Sequence, residues 1–262
     1  MLRCFATVLL LALPIPAMGQ AAPSQYVFPL FVDGTSNGTL YQSTVKIVEA
    51  DPAASSNRCT LTQRQTDAGF DGVNGDSYTA DIFDSGDNPP AITQIILDRF
   101  LPWEVLRSKA RSRLAAGYAT LSCSAAVQPE LQVTLRDSKG AKLGETTVSP
   151  ATLGNSFQFI LDTRDGTHLG FALANDSDVD GQYTVVARDQ LNNLLDIEFD
   201  TLNAHSQVSR FIDEMLALPT GFVGSIEVIG VTGGRNYAVG LQFTGPVFAA
   251  VQPVVRASPL RF

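Results

Sequence analysis

The sequence predicts an all-β protein made of two antiparallel β-sandwich domains in tandem, each carrying one short helix. Three observations predict it. Apolar and polar residues alternate with a period of two through most of the chain, as half-buried strands require. Gly, Asn and Asp turn signals such as "DSKG", "LNN" and "TGG" punctuate those runs at short intervals. The chain also matches itself at long offset. A hydrophobic share of 45 % supplies enough apolar surface for two cores.

The first residues stand apart from that pattern. "MLRCFATVLLLALPIPAMGQ" sets Arg3 before an apolar run from Phe5 to Leu13, then Pro14 and small residues at Ala17 and Gly19. This is the order of a secretory signal peptide, and the run is too short to span a bilayer. Residues 1–19 are expected to be removed after Gly19, with Ala22 as the second choice. No later stretch is long and apolar enough for a transmembrane helix. Export also decides the cysteines. Cys4 leaves with the leader, and Cys59 and Cys123 remain where disulfides persist, so a bridge between them is expected. A reactive thiol would need both an activating cation and an exposure that the sequence does not show.

The first domain is expected over residues 26–150. It opens on "FPLFVDGTSNG", from Phe28. "DAGFDGVNGDSYTADIFDSGDNPP", residues 67–90, reads as an inserted surface loop rich in Gly and Asp. "WEVLRSKARSRL" then sets Trp103, Leu106, Ala110 and Leu114 on one helical face. Arg99, Arg107, Lys109, Arg111 and Arg113 gather around that segment. They read as a solvated face, or alternatively as a patch for an anionic partner. "LAAGYATLSC" and "LQVTL" follow as strands.

The second domain is expected over residues 155–255, after a boundary near "SPATLGN". "FQFILDTRDG", from Phe157, answers the opening strand at an offset of 129, while "LPTGFVGSIE" and "YAVGL" answer "LAAGYATLSC" and "LQVTL" at 104 to 106. The difference matches the inserted loop. Phe157, Phe159 and Leu161 share one side of their strand, and Tyr237, Val239, Leu241 and Phe243 share one side of theirs. Both sets are expected in a single core. "VSRFIDEMLAL" lines up Val208, Phe211, Met215 and Leu218 as a helical lid.

Two of these stretches carry a resemblance. Phe28, Pro29, Phe31, Asp33 and Gly34 fit an "F-P-x-F-x-D-G" opening strand. Arg210, Phe211, Asp213, Glu214, Leu218, Pro219, Gly221, Phe222 and Gly224 fit an "R-F-x-D-E-x-x-x-L-P-x-G-F-x-G" segment. With "GFALAND" and "AVGLQFTGPVFAAVQP" they resemble a family of secreted bacterial proteins with tandem Ig-like β-sandwich domains. The resemblance implies a fold and an extracellular address, and it brings no catalytic residues.

Chemistry-bearing motifs are few. "NDSDVDGQY" spaces Asp176, Asp178 and Asp180 on alternate positions before Gly181. It reads first as a polar hairpin turn. The alternative is a weak calcium site, the one cofactor candidate in the chain, with Gln182 adding a carbonyl. An EF-hand would need an acid at Ala187, where there is none. His168 and His205 have no metal-ligand spacing, and no nucleophile elbow or phosphate loop occurs. A net charge of −8, or −9 once Arg3 is removed with the leader, disfavours nucleic acid. The function expected is a secreted, non-catalytic binding or scaffolding module, with a cell-envelope component, a polysaccharide or another extracellular protein as partner. The runner-up is a carbohydrate-active or other hydrolase using loop carboxylates such as Asp84 and Asp87.

Overall fold

The computed structural model describes residues 24–50, 56–65, 91–100, 102–108, 114–245 and 247–256. The expected leader and the 67–90 insert lie outside them. The first half runs β1 (Ser24–Ser36), β2 (Thr39–Glu49), β3 (Asn57–Gln65), β4 (Ala91–Leu97), β5 (Trp103–Arg107), β6 (Ala115–Cys123), β7 (Val127–Arg136) and β8 (Lys142–Val148). A two-residue β9 (Leu153–Gly154) leads into β10 (Ser156–Asp162), β11 (Thr167–Asn175), β12 (Gly181–Asp189), β13 (Leu194–Leu202) and β14 (Ser206–Phe211). These are followed by α1 (Ile212–Met215), β15 (Val223–Ile229), β16 (Asn236–Thr244), β17 (Val247–Val251) and β18 (Val254–Arg256). All described pairings are antiparallel, so the all-β class holds.

Strand order repeats along the chain. The first half pairs β4-β3-β6-β1 and β5-β2-β7-β8, with β1 bridging both by pairing β2 at Gly34–Ser36. The second half pairs β13-β12-β15-β10, extended by β18, and β14-β11-β16-β17. Each strand from β1 to β8 therefore has its counterpart nine places on. The hairpin that residues 190–193 close between β12 and β13 is, in the first half, the interval from Gln65 to Ala91.

Phe157, Phe159 and Leu161 enter the second core with Phe171, Leu173, Tyr183 and Val185. Tyr237, Val239, Leu241 and Phe243 do not join them, which corrects the single-core expectation. Val239 belongs to the first-half cluster of Phe28, Phe31, Leu131 and Val133, with Leu241 and Phe243 packed against it. Tyr237 meets Val27, Tyr118 and Ala174. The β11–β16 sheet is thus buried on both faces, one in its own core and the other against the first half. Cross-strand pairs show how both faces close. Phe171 lies opposite Gly240 on the core side, and Val239 and Tyr237 lie opposite Ala172 and Ala174 on the other. Large against small keeps the spacing even on each face. Period-two alternation marks two faces but not which core each one serves.

The helices also need correction. Trp103–Arg107 is a strand, paired along β2 from Val48↔Trp103 to Thr44↔Arg107. The open edge of β2 offers backbone partners that a short isolated helix would lack. Of "VSRFIDEMLAL", residues 208–211 belong to β14 and only Ile212–Met215 is helical. Val208, Met215 and Leu218 still pack on the second core, whereas Phe211 turns outward towards Phe243, 5.3 Å between ring centroids.

Candidate contact surface and the site residues

The β5-β2-β7-β8 sheet buries one face through Val45, Ile47, Leu131 and Val133 and leaves the other in water. That other face is polar where alternation demands it: Lys46 Nζ reaches Glu130 Oε1 at 2.9 Å, and Gln132 lies across from a buried Thr44. At the β5 side that rule breaks. Trp103, the chain's sole tryptophan, is 57 % exposed directly opposite exposed Val48, and exposed Val105 lies opposite Lys46. Phe100, just before the strand, is 75 % exposed with the Arg99 guanidinium 4.6 Å from its ring centroid. An indole held open to solvent beside Val48, with Gln128 across from Val48 and the Lys46–Glu130 pair alongside, joins an apolar plate to hydrogen-bonding neighbours.

The helical reading had hidden Trp103 by turning it inward with Leu106. The signal that would have found it is the short alternation Trp103–Val105 directly after Pro102. Of the basic residues singled out, Arg99 stands on Phe100 and Arg107 ends β5; Lys109, Arg111 and Arg113 lie outside the described residues.

Cys59 and Cys123 lie directly opposite each other on β3 and β6 and form a disulfide.

The "NDSDVDGQY" stretch is a turn built on a buried asparagine. Asn175 Nδ2 donates to Val179 O at 2.6 Å and to Asn203 O at 3.1 Å, while Ser177 Oγ donates to Asn175 Oδ1 at 2.6 Å. The acids then diverge. Asp176 faces the first half, accepting the Tyr118 hydroxyl at 3.1 Å and Gln25 Nε2 at 3.3 Å. Asp178 meets His205 Nε2 at 2.7 Å, Asp180 accepts the Ala204 N–H, and Gln182 lies on β12 opposite Thr201. No set of three acids, histidines or cysteines among the described residues has the arrangement of a metal centre. Burial first, and the Asp176 charge second, hold the Tyr118 phenol well above its ordinary pKa, so it remains a donor.

His168 Nδ1 lies 2.8 Å from Asp213 Oδ2 at the mouth of a cavity of about 180 Å³ lined by Leu161, Ile212 and Pro219. A shallow groove along β13 and β14 gathers Glu198, Asp200, Arg210 and Glu214 beside Met215. Two of its acids have structural partners. Asp200 accepts the Tyr183 hydroxyl at 3.3 Å, and Glu214 accepts the Phe211 N–H at 3.3 Å.

No family model matches the chain, and no curated protein does. Among solved structures, one similar chain is a Parabacteroides distasonis protein inferred to be secreted, at 10 % identity and TM-score 0.19, with 87 % of this chain and 88 % of that one covered. Another is Clostridium perfringens ZmpB, its M60 catalytic domain with two CBM51 domains, at 8 % identity and TM-score 0.19. There the match spans 90 % of this chain and 34 % of the other.

Proposed function

We propose that the protein is a non-catalytic binding protein acting outside the cell, and that the Trp103 face of the first half is its contact surface for polysaccharide. The leader-like N-terminus and the Cys59–Cys123 disulfide support the address. One observation carries the binding reading: the sole tryptophan is exposed with Val48 and Val105 beside it, on a sheet face that also carries Lys46, Gln128 and Glu130. The electron-rich face of an indole accepts the C–H face of a pyranose, while flanking amide and charged groups hydrogen-bond its hydroxyls.

A sole tryptophan makes the test direct. Titrating mature protein with a polysaccharide panel is expected to shift or quench its emission. Calorimetry on Trp103→Ala is expected to show affinity lowered by about tenfold or more. The runner-up, a hydrolase, rests on the convergence of Glu198, Asp200 and Glu214 in the β13–β14 groove. It requires reducing ends to accumulate during the same titration and to stop in Glu198→Gln. Binding without product release is the outcome expected here.

A further inference from the structure

Edge strands offer unpaired backbone groups to any passing strand, and exported proteins guard them. Among the described strands the edges are guarded by recognisable means, with one exception. β13 carries Asp196, Glu198 and Asp200 on the side of the core residues Tyr183, Val185 and Ala187, an inward placement of charge that repels an added strand. β14 carries Arg210, and β5 follows Pro102 and carries Glu104. β8 carries Lys142 and Glu145 and packs beside β17, where Ala250 N donates to Thr146 Oγ1 at 2.8 Å. β18 is three residues long and follows Pro253. β4, "AITQIIL", is the exception. Like β5 and β18 it follows a proline, Pro90, but unlike β5 it carries no charge and unlike β18 it is seven residues long. It has no bulge against β3, and among the described strands it pairs β3 alone. Ile92 and Ile96 stand 58 % and 59 % exposed on its outer face, flanking Gln94.

We propose that β4 is a self-association edge, pairing antiparallel with β4 of a second copy about a two-fold axis through Gln94. The sequence of the strand argues for this occupant. Centred on Gln94, the two-fold places Ile92 opposite the partner's Ile96, and Ile96 opposite the partner's Ile92. Both exposed isoleucines of each copy then gain an apolar cross-strand neighbour, and Gln94 faces its own equivalent. A closed, isologous contact of this kind ends at a dimer, and backbone pairing along the strand supplies the ladder. β13, the counterpart of β4 in the second half, cannot make the same contact without burying its three carboxylates.

Sedimentation equilibrium of the mature chain, with the native disulfide intact, tests this. A concentration-dependent dimer is expected. Ile96→Lys is expected to weaken association by about tenfold or more while leaving the melting temperature unchanged at protein concentrations where both chains are monomeric. Gln94→Cys, on the proposed axis, is expected to form an intermolecular disulfide in air. Leu191→Cys, on an exposed turn of the second half, is expected to form none. The cross-link keeps the proposal testable if Ile96→Lys folds poorly. A monomer at every concentration, a dimer indifferent to Ile96→Lys, or cross-linking at Leu191→Cys and not Gln94→Cys would each overturn it. Polysaccharide affinity per chain is expected to stay the same in Ile96→Lys, which separates this surface from the Trp103 face.

Discussion

Tyr118 and Asp176 belong to different halves, yet each completes the other. The tyrosine is fully buried in a small cluster with Val27, Ala174 and Tyr237, and its hydroxyl meets the carboxylate where the halves join. Arg235 extends the contact, donating to Gln25 Oε1 at 2.8 Å and to Tyr237 Oη at 3.1 Å. Tyr118→Phe removes one donor from a largely buried acid. It is expected to lower unfolding free energy by about 1–3 kcal/mol in urea melts, and an unchanged midpoint would contradict the role given to this bond. The neighbouring acids give a second expectation. Because Asp176, Asp178 and Asp180 each hold a separate protein partner, millimolar calcium is expected to leave the melting temperature unchanged. A rise abolished by Asp178→Ala would support the calcium reading.

At the scale of elements, glycines set how closely strands and loops approach. A Cβ on Gly224 would stand 2.1 Å from the Arg188 carbonyl oxygen and 2.7 Å from the Phe222 ring, so β12 and β15 could pair only by moving apart. Gly224→Ala is therefore expected to cost about 2–4 kcal/mol, read by the same melts; a loss under half a kcal/mol would show that the strand shifts freely. The disulfide joins β3 to β6 across a sequence separation of 64, a loop length that corresponds to about 4 kcal/mol of restricted unfolded chain. These elements also show what the sequence could convey. Alternation in "SFQFIL" located β10 and its buried side, because the opposite side of that strand carries Gln158 and the exposed Ile160. "LAAGYATLSC" and "LPTGFVGSIE" end in β6 and β15, which pair β1 and β10 at the same place in the strand order of their halves. "WEVLRSKARSRL" misled, because helical spacing in a short segment is weaker than the pull of an unpaired β2 edge. Trp103 was lost with it. The burial of Tyr237–Phe243 was legible but its destination was not, because β16 is sandwiched between two cores and only tertiary contacts assign its faces.

Across the whole molecule, the two halves share one strand order and use equivalent faces unequally. The β11–β16 sheet spends its outer face on packing against the first half, and small residues at Gly170, Ala172 and Ala174 let that contact close. Its counterpart, the β2–β7 sheet, keeps its outer face in water with Trp103 at the margin. On the function proposed above, the second half's sheet packs the halves together and the first half's presents the contact surface. The acidic β13–β14 groove lies on the second half, away from that surface in sequence and in sheet order.

Amide hydrogen exchange, compared with and without the polysaccharide that most strongly perturbs the Trp103 emission, addresses this division of labour directly. The account predicts slowed exchange in residues 44–48, 103–107 and 128–132, with 194–214 unchanged. Protection confined to 194–214, with the β2, β5 and β7 amides untouched, would place the contact on the wrong half and contradict it.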